Sequence, residues 1–382
     1  MTIVSDKLPL QETRLDGPRR VDVPINRLDV DVYTVPTETP ESDGTVTWDR
    51  TTMVLVTAWA GGESGIGWTY AAPAAAQIVH DTLRDQVVGQ DALNVSACWL
   101  RMVHAVRNRG LEGVCSMAIS AVDCALWDLK AGLLGIPLAC LLGQVRDRVA
   151  VYGSGGFTSY SIHKLQKQLS GWVAQRMRRV KMKIGTHPDE DEQRVRAARQ
   201  AVGNDVDLFV DANGAYHPRQ ALAVAERMVN LGVVWLEEPV DHQDVAATAF
   251  VRDHCPPGLD VSGGEYGYAH ADYFVRLLSA VDVLQADATR CGGFTGFLRV
   301  AALADAYGTP LSSHCAPTLH VPMGVVAPAV CHLEYFFDHV RIEHMFFDGA
   351  LPARDGYLAP DLTRPGLGLD FKSEDAEKYR RL

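Results

Sequence analysis

Seven charged or imidazole side chains recur at similar positions in the second part of the sequence. Each stands at the C-terminal end of a short apolar run, and consecutive members are 20 to 30 residues apart. The seven are Lys181, Asp211, Glu237, Glu265, Asp287, His314 and Glu334. One charge in such a place would mean little, but seven at matching places predict a single polar site built from neighbouring strands.

Three of these residues, Asp211, Glu237 and Glu265, are carboxylates that follow successive runs. Each alone would more often be a helix cap or an ion-pair partner, but together they would repel one another unless a cation neutralised them. Oxygen-only ligands favour a hard ion, Mg²⁺ above all. In the motif WLEEP, Glu237 and Glu238 point to opposite faces of a strand, so only one of them can be a ligand. Trp235 shares the face of Glu237, and the alternation leaves open which face is inside.

The run RVKMKIG contains two lysines whose side chains share one face of a strand, Lys181 and Lys183. Two close ammonium groups disfavour each other's charged form, and burial adds to this effect. The pair therefore predicts one lysine with a pKa lowered toward neutrality, a candidate general base. By itself the motif would be more typical of a solvated surface strand.

Asp287 and His314 end two neighbouring runs. A carboxylate beside an imidazole fixes the imidazole tautomer and raises its pKa, which predicts a proton donor or acceptor near neutral pH. A histidine in SSHCA without that partner would more often be a hydrogen-bonded core residue. Glu334 ends the last run, where a raised pKa would let it donate a hydrogen bond to an anionic oxygen.

The elements that would position these residues are short strands that alternate with helical stretches. From about residue 149 the strand-like runs are VAVYG, RVKMKIG, LFVDANG, VVWLEEP, DVSGGE, VLQADA, PLSSH and CHLEYF. This alternation predicts parallel βαβ units, and eight of them close into a (β/α)8 barrel with its active site at the C-terminal strand ends. A Rossmann sheet is the competing fold, but no strand is followed by GxGxxG.

The region up to about residue 142 has a mixed α and β pattern. Strand-like runs span 28–33 and 51–59, the second closed by Gly61-Gly62 as in a hairpin turn, and the spacing of apolar residues predicts a helix over 116–134. Between the two strands, residues 34–49 are rich in proline, threonine, serine and acid, which predicts a solvated loop or a lid. The turn-rich tail is predicted to pack back on this region.

The composition restricts the class of partner. The chain has 382 residues, 47% hydrophobic and 22% charged, which suits two globular domains. A net charge of −11 argues against nucleic acid and anionic membranes. The sequence has no stretch of about 20 consecutive apolar residues, so we expect no membrane span. Its first twenty residues lack the pattern of a secretory signal. Eight cysteines without a CxxC pair favour thiols in a reducing cytoplasm, and we expect a small-molecule partner.

Taken together, the motifs resemble the enolase superfamily and, within it, the mandelate racemase subgroup. They are AVDCALWDLKAGLLGIPLACLLG, VKMKIG, VDANGAY, WLEEP, GGE, QADATRCGG, SSH, LEYF and DGYLAPDLTRPGLGLD, in that order. The resemblance implies an α/β fold, a modified (β/α)7β barrel under an α+β capping domain formed by both chain ends. The expected boundaries are 1–142 for the N-terminal part of the cap, 143–339 for the barrel and 340–382 for the tail that completes the cap.

The resemblance also implies a role for each candidate residue. Mg²⁺ would be held by Asp211, Glu237 and Glu265, so the resemblance selects the first acid of WLEEP. Lys183 would be the general base, and Lys181 would assist its pKa and contact the substrate carboxylate. His314, oriented by Asp287, would act on the opposite face, while Glu334 would hydrogen-bond the other carboxylate oxygen. Substrate or ligand-shell contacts are expected from Asn213, Trp48, Trp68 and Tyr70.

The activity expected from this resemblance is that of an Mg²⁺-dependent acid-sugar dehydratase. Its substrate would be an aldonate or aldarate, its intermediate an enediolate and its product a 2-keto-3-deoxy acid. The alternative is a racemase or epimerase of a 2-hydroxy acid that uses the same residues. A noncatalytic binding protein on the same barrel is disfavoured because every polar position is present. Homo-oligomerisation is expected from family habit alone.

Overall fold

The structure is a computed structural model that describes residues 22–381. The first twenty residues, predicted to lack a secretory signal, lie outside the described range, as does Leu382. The described chain forms an antiparallel capping sheet with its helices, a parallel barrel and a C-terminal tail. No helix within residues 22–381 combines the length and apolar character that crossing a bilayer requires.

The cap is built on a three-stranded antiparallel sheet in the order β1-β2-β3. Its strands are β1 (Ile25–Ser42), β2 (Thr47–Ala60) and β3 (Glu63–Tyr70). The hairpin turn predicted at Gly61 and Gly62 joins β2 to β3, and both glycines have positive φ, +60° and +88°. Glycine adopts this left-handed region without the steric cost of a Cβ atom, so the turn prediction is confirmed.

The segment 34–49, predicted to be a loop, is instead the end of a long β-hairpin. β1 continues to Ser42 and β2 starts at Thr47, so only residues 43–46 form the turn. The pairing register shifts between Pro36 and Glu41. The prolines and the acids suggested a loop, but Thr34, Val35, Thr37 and Thr39 are β-branched residues that suit a pleated strand. The irregularity of this segment is the register shift between Pro36 and Glu41.

Five α-helices of the cap follow the sheet. They are α1 (Ala74–Ile78), α2 (Arg84–Val87) after the π-helical turn Val79–Leu83, α3 (Val95–Ala105), α4 (Val114–Leu133) and α5 (Leu138–Leu142). Helix α4 confirms the predicted helix and packs against β3 at two glycines. A Cβ atom on Gly65 would lie 2.1 Å from the backbone nitrogen of Leu129, and one on Gly67 would lie 2.4 Å from the carbonyl oxygen of Ala121. Glycine therefore permits backbone-to-backbone packing of helix on sheet.

The barrel contains eight parallel strands, and all eight predicted runs form them. They are β4 (Val149–Gly155), β5 (Arg179–Lys183), β6 (Asp207–Asp211), β7 (Val233–Glu237), β8 (Asp260–Gly263), β9 (Val283–Ala286), β10 (Leu311–Ser313) and β11 (Val330–Phe336). Each pairs with the next in sequence, and β11 pairs with β4 through Leu333 and Val151 to close the barrel. The parallel closure brings the C-terminal ends of all eight strands to one rim.

Seven helices connect the strands in a (β/α)7β arrangement. They are α6 (Ile162–Ala174), α7 (Pro188–Val202), α8 (Pro218–Val229), α9 (Val245–His254), α10 (Ala271–Leu277), α11 (Gly293–Tyr307) and α12 (Pro317–Val326). A further helix, α13 (Phe337–Phe346), follows β11. This is the fold that the resemblance implied.

The C-terminal tail returns to both the barrel and the cap, as predicted. Its elements are β12 (Phe347–Asp348), β13 (Tyr357–Leu358), β14 (Asp370–Phe371), α14 (Ser373–Ala376) and the 3₁₀ turn Glu377–Tyr379. Strand β13 pairs antiparallel with β4, and the N–H of Arg381 donates to the carbonyl of Val32 in β1 at 2.7 Å. The tail therefore ties the first barrel strand to the first cap strand.

Candidate active site

A cavity of about 730 Å³ lies where the cap meets the C-terminal rim of the barrel. The cap contributes Trp48 and Tyr70 to its wall, and the barrel contributes Lys183 and His314. The hairpin tip docks against the barrel at Gly44, where a Cβ atom would lie only 2.1 Å from the carbonyl oxygen of Ala212. The hairpin therefore covers the rim that carries the predicted site.

The three predicted carboxylates converge at this rim. Asp211, Glu237 and Glu265 are all buried, and one oxygen of each lies within 4.8 Å of the others. Glu265 Oε2 accepts no hydrogen bond from residues 22–381, although His314 Nε2 lies 3.2 Å away. A buried carboxylate oxygen without a hydrogen donor, within an all-oxygen set, fits a hard divalent cation such as Mg²⁺.

The two acids of WLEEP have different surroundings. Glu237 faces the barrel interior, where Trp235 Nε1 donates to its Oε2 at 3.0 Å. Glu238 leaves the strand direction with a φ of +38°, and both of its buried carboxylate oxygens are without a hydrogen-bond partner in the described chain. Burial, with Glu265 and Asp211 nearby, raises the pKa of Glu238 well above its usual range. Glu237 is thus the acid of WLEEP whose oxygen lies close to those of Asp211 and Glu265, and its role as an Mg²⁺ ligand stays what the resemblance implies.

Lys181 and Lys183 share the barrel interior, but their electrostatics differ from the prediction. Both Nζ atoms lie near Asp211 Oδ2, at 3.3 Å and 2.5 Å, and Lys181 also pairs with Glu237 at 2.5 Å and Glu334 at 2.9 Å. Burial alone would lower both lysine pKa values, yet these carboxylates outweigh it and raise them above the ordinary value. The lysine pKa values therefore depend on these carboxylates, and a Lys183 pKa near neutrality stays a prediction for a site in which Asp211 binds a cation.

Lys181 and Lys183 also differ in access. Lys183 lines the cavity, whereas Lys181 is fully buried two residues earlier in β5. The predicted contact between Lys181 and a substrate carboxylate is therefore not supported by its position, and its direct partners are protein carboxylates.

Glu334 also departs from the prediction of a protonated donor. It pairs with Lys181, and it accepts hydrogen bonds from Ser154 Oγ at 2.6 Å and from the backbone N–H of Cys315 at 2.7 Å. Burial would raise its pKa, but Lys181 and the other nearby cations hold the pKa well below its usual range. Glu334 is thus an ionised acceptor, because its neighbours are donors and cations.

The His–Asp pair has the predicted geometry. His314 Nδ1 donates to Asp287 Oδ2 at 2.8 Å, and Asp287 Oδ1 accepts from the N–H of Thr289 at 2.7 Å. Burial would raise the pKa of Asp287, but the bond to His314 outweighs it and holds the pKa below the usual range. An ionised Asp287 can only accept, so the neutral imidazole presents the lone pair of Nε2 to the cavity.

The predicted substrate contacts divide into three that line the cavity and one that does not. Trp48, Tyr70 and Asn213 line it, and the backbone N–H of Asn213 donates to Asp211 Oδ1 at 3.0 Å. Trp68 is fully buried and stacks on Phe347 with ring centroids 4.5 Å apart. Trp68 is therefore a packing residue between cap and tail, and its prediction as a substrate contact is corrected.

Two further cavity residues were missed by the sequence reasoning. Arg290 pairs with Glu265 at 3.2 Å and lies 3.6 Å from Asp287. His339 stacks on Tyr70 with centroids 3.4 Å apart, and its Nδ1 accepts from the N–H of Ala316 at 3.3 Å. Arg290 stands three residues after a predicted strand-end acid and could have been found there, whereas His339 lies in α13 with no pattern that singles it out.

Together these residues can support proton transfer beside a carboxylate. Lys183 and His314 both line the cavity, and the three-carboxylate set lies beside them. A cation held by that set would draw an anionic substrate into a chain of net negative charge.

Comparisons with known proteins match nearly the whole chain. The family model described as "Mandelate racemase / muconate lactonizing enzyme, N-terminal domain" matches residues 27–143, and "Enolase C-terminal domain-like" matches 164–376. The chain is 30% identical to an L-talarate/galactarate dehydratase of Salmonella typhimurium, over 91% of this chain and 89% of the relative.

Two solved structures show the same architecture. A mandelate racemase/muconate lactonizing enzyme-like protein from Rubrobacter xylanophilus is 49% identical with a TM-score of 0.92, over 94% of this chain and 100% of that one. A racemase from Streptomyces coelicolor, solved with bound magnesium, is 29% identical with a TM-score of 0.88, over 94% and 100% of the two chains.

Proposed function

Because the chain belongs to the mandelate racemase/muconate lactonizing enzyme family of the enolase superfamily, we propose that it is an Mg²⁺-dependent acid-sugar dehydratase. The substrate class is an aldonate or an aldarate. The observation that carries the proposal is one cavity in which a buried three-carboxylate set lies beside Lys183 and the His314–Asp287 pair. The similarity to a curated sugar-acid dehydratase supports the reaction type.

Binding would place the substrate carboxylate at the carboxylate set. Asp211, Glu237 and Glu265 would hold Mg²⁺, which when bound supplies positive charge to offset the negative charge of an enediolate. Lys183, the cavity-lining lysine, would take the proton from the carbon beside the carboxylate as a neutral amine, a form that requires Asp211 to be engaged by the cation and not by Lys183 Nζ. Lys181 and Glu334 form an ion pair beside Lys183 and would keep the charges around the Lys183 side chain in place.

Dehydration is completed on the other side of the cavity. His314, protonated on Nε2, would give its proton to the departing 3-hydroxyl, which leaves as water. Asp287 would stabilise the imidazolium before this transfer, since its bond to Nδ1 is 2.8 Å. The remaining enol loses the proton of its 2-hydroxyl and gains one at carbon 3, and this tautomerisation gives the 2-keto-3-deoxy acid without a net change in protons.

The polyol chain of the substrate would contact the remaining cavity wall. Trp48, Tyr70 and Asn213 supply aromatic surface and an amide. His339 lines the cavity, and its Nδ1 accepts from the N–H of Ala316. Because Nδ1 accepts, the neutral ring carries its hydrogen on Nε2 and can donate it to a substrate hydroxyl.

A racemase or epimerase of a 2-hydroxy acid is the second candidate. It would use Lys183 and His314 as acid and base on opposite faces of one carbon. The similarity to a magnesium-bound racemase at 29% identity favours keeping this candidate.

The test is a screen of mono- and diacid sugars for 2-keto acid formation with Mg²⁺ present. We expect turnover of at least one acid sugar, lost in Lys183→Ala and kept in Lys167→Ala, an exposed lysine on α6. Deuterium exchange beside the carboxylate without keto product would favour the racemase. Turnover that survives Lys183→Ala would contradict both candidates.

We also propose a reducing, cytoplasmic location. All eight cysteines are unpaired thiols, and five of them are buried, which supports a compartment without disulfide formation.

A further inference from the structure

Three side chains of different chemistry converge at the ends of β10 and β11. His314 Nε2 lies 3.2 Å from Cys315 Sγ and 4.0 Å from Glu334 Oε2, and the three donor atoms all lie within 4.8 Å of one another. All three residues are buried, and His314 and Cys315 line the cavity. The proposed dehydration gives the Cys315 thiol no task.

The backbone is bent to bring these neighbours together. Consecutive side chains of a strand point to opposite sides, so His314 and Cys315 would diverge if β10 simply continued. Instead Cys315 and Ala316 adopt φ values of +51° and +38°, in the left-handed region that non-glycine residues rarely adopt. The N–H of Cys315 donates to Glu334 Oε2 at 2.7 Å, and this bond keeps the Glu334 carboxylate next to Cys315.

His314 is prepared to act as a metal ligand. Its Nδ1–H is occupied by the ionised Asp287, so Nε2 carries the lone pair, with Cys315 Sγ and Glu265 Oε2 each 3.2 Å away. An imidazole that donates its other N–H to a carboxylate is the usual arrangement around protein-bound zinc. Imidazole, thiolate and carboxylate suit Zn²⁺ and match poorly the all-oxygen preference of Mg²⁺.

We propose that His314, Cys315 and Glu334 form a second cation site, specific for a thiophilic divalent ion of the Zn²⁺ type. Three protein ligands leave a fourth tetrahedral position for water or a substrate oxygen. Coordination converts the Cys315 thiol to a thiolate and releases one proton to solvent. The ion occupies the Nε2 lone pair, so it blocks proton transfer by His314. This inhibitory consequence rests on the proposed function, whereas the binding itself does not.

Binding is tested on the Mg²⁺-saturated, full-length protein with Zn²⁺ and with Co²⁺ as a spectroscopic probe. We expect one zinc ion per chain retained after desalting in excess Mg²⁺, and a near-ultraviolet thiolate-to-cobalt absorption band with Co²⁺. Cys315→Ser keeps the size of the side chain and removes the soft donor, so the band disappears and zinc affinity falls at least about tenfold. Cys140→Ser, an exposed cysteine on α5, is the matched control and keeps both signals.

Equal zinc retention by the wild-type protein and Cys315→Ser, with no cobalt band, would overturn the proposal and place the zinc at the three-carboxylate set. If Cys315→Ser does not fold, anomalous scattering at the zinc edge from wild-type crystals decides between a position at Cys315 and one at Asp211. Zinc inhibition of turnover, weaker in Cys315→Ser by the same factor, tests the consequence for His314. Zinc and cobalt signals without turnover of any acid sugar would support the site while the proposed function fails.

Discussion

One substitution, Asp287→Asn, reverses the direction of the hydrogen bond that orients His314. Asp287 accepts from the N–H of Thr289 at 2.7 Å with one oxygen and from His314 Nδ1 at 2.8 Å with the other. Asparagine has one oxygen, and only that oxygen can accept from the N–H of Thr289. Its NH₂ group then faces His314, so Nδ1 must accept and the imidazole hydrogen moves to Nε2.

The size of the rate loss in Asp287→Asn can be estimated from the hydrogen bond between Asp287 and His314 that the substitution removes. A charge-assisted hydrogen bond contributes about 1.5–3 kcal/mol, which corresponds to a rate loss of roughly 10- to 100-fold. The same carboxylate-to-amide change beside a catalytic histidine costs about 10⁴-fold in another enzyme, or roughly 5 kcal/mol. Here the loss arises because asparagine does not stabilise the imidazolium, and a neutral imidazole is a much weaker acid at Nε2. We therefore expect keto acid formation by Asp287→Asn to fall roughly 10²- to 10⁴-fold. Folding stability changes little, because the bond to Thr289 is kept.

The assay measures two rates on the same substrate. In the proposed dehydration, keto acid formation requires His314, whereas deuterium exchange beside the carboxylate requires only Lys183 and should persist in the variant. Asp244→Asn is the control, because Asp244 caps α9 by accepting from the N–H of Ala247 at 2.9 Å and asparagine caps equally well. Keto acid formation by Asp287→Asn within about threefold of wild type, roughly 0.7 kcal/mol, would refute the role of this bond.

Four other perturbations give separate expectations. Excess chelator should abolish turnover and added Mg²⁺ should restore it; activity that persists in chelator would contradict the carboxylate assignment. Burial, then Asp338, raises the pKa of Glu41 from 4.5 to about 8, so the folded protein keeps a proton that the unfolded chain releases. The free energy of unfolding is therefore expected to fall as pH rises from about 5 to 8. Glu41→Gln should remove up to about 4 kcal/mol of that fall, measured by urea unfolding at both pH values. An equal fall in Glu41→Gln and wild type would disprove this role of Glu41. Gly44→Ala places a Cβ atom 2.1 Å from the carbonyl oxygen of Ala212 and should displace the hairpin, so KM should rise about tenfold or more. Gly171→Ala, with no atom within 4 Å, is the control, and an unaltered KM in Gly44→Ala would argue against hairpin docking. His339→Leu should raise KM for acid sugars about tenfold through one lost hydrogen bond, and an unchanged KM would place His339 beyond the reach of substrate.

The residues at the strand ends could be predicted because two regular patterns in the sequence determine where they lie. The alternation of strands and helices sets the order of the barrel, and the two-residue period of a strand sets which side chains enter it. These rules bring Asp211, Glu237 and Glu265 to one place, and they pair Lys181 with Lys183. The resemblance added the choice of Glu237 over Glu238, which alternation alone had left open.

Charge states were not predictable from the same rules. Whether a buried lysine loses its proton depends on the carboxylates that lie within about 3 Å of it across strands, and the sequence does not place them. Lys183 meets Asp211, so its pKa rises instead of falling. Glu334 meets Lys181, so it stays ionised instead of donating a hydrogen bond.

Side chains on one face of a strand can also have different neighbours. Trp68 and Tyr70 are two residues apart on β3, about 6.6 Å along the strand. That separation places one ring on Phe347 and the other on His339 at the cavity. No periodicity in the sequence distinguishes the two, because the difference lies in what the tail and α13 bring against them.

The tail contacts two early strands, β1 and β4, so these contacts form late during translation. Residues 357–381 leave the ribosome after the whole barrel, yet their partners, β1 and β4, emerge early. Arg380 contacts Asp31 across 349 positions of chain, so this contact forms only after nearly all of the described residues are synthesised. During synthesis all eight barrel strands are therefore complete before residues 357–381 can connect β4 to β1.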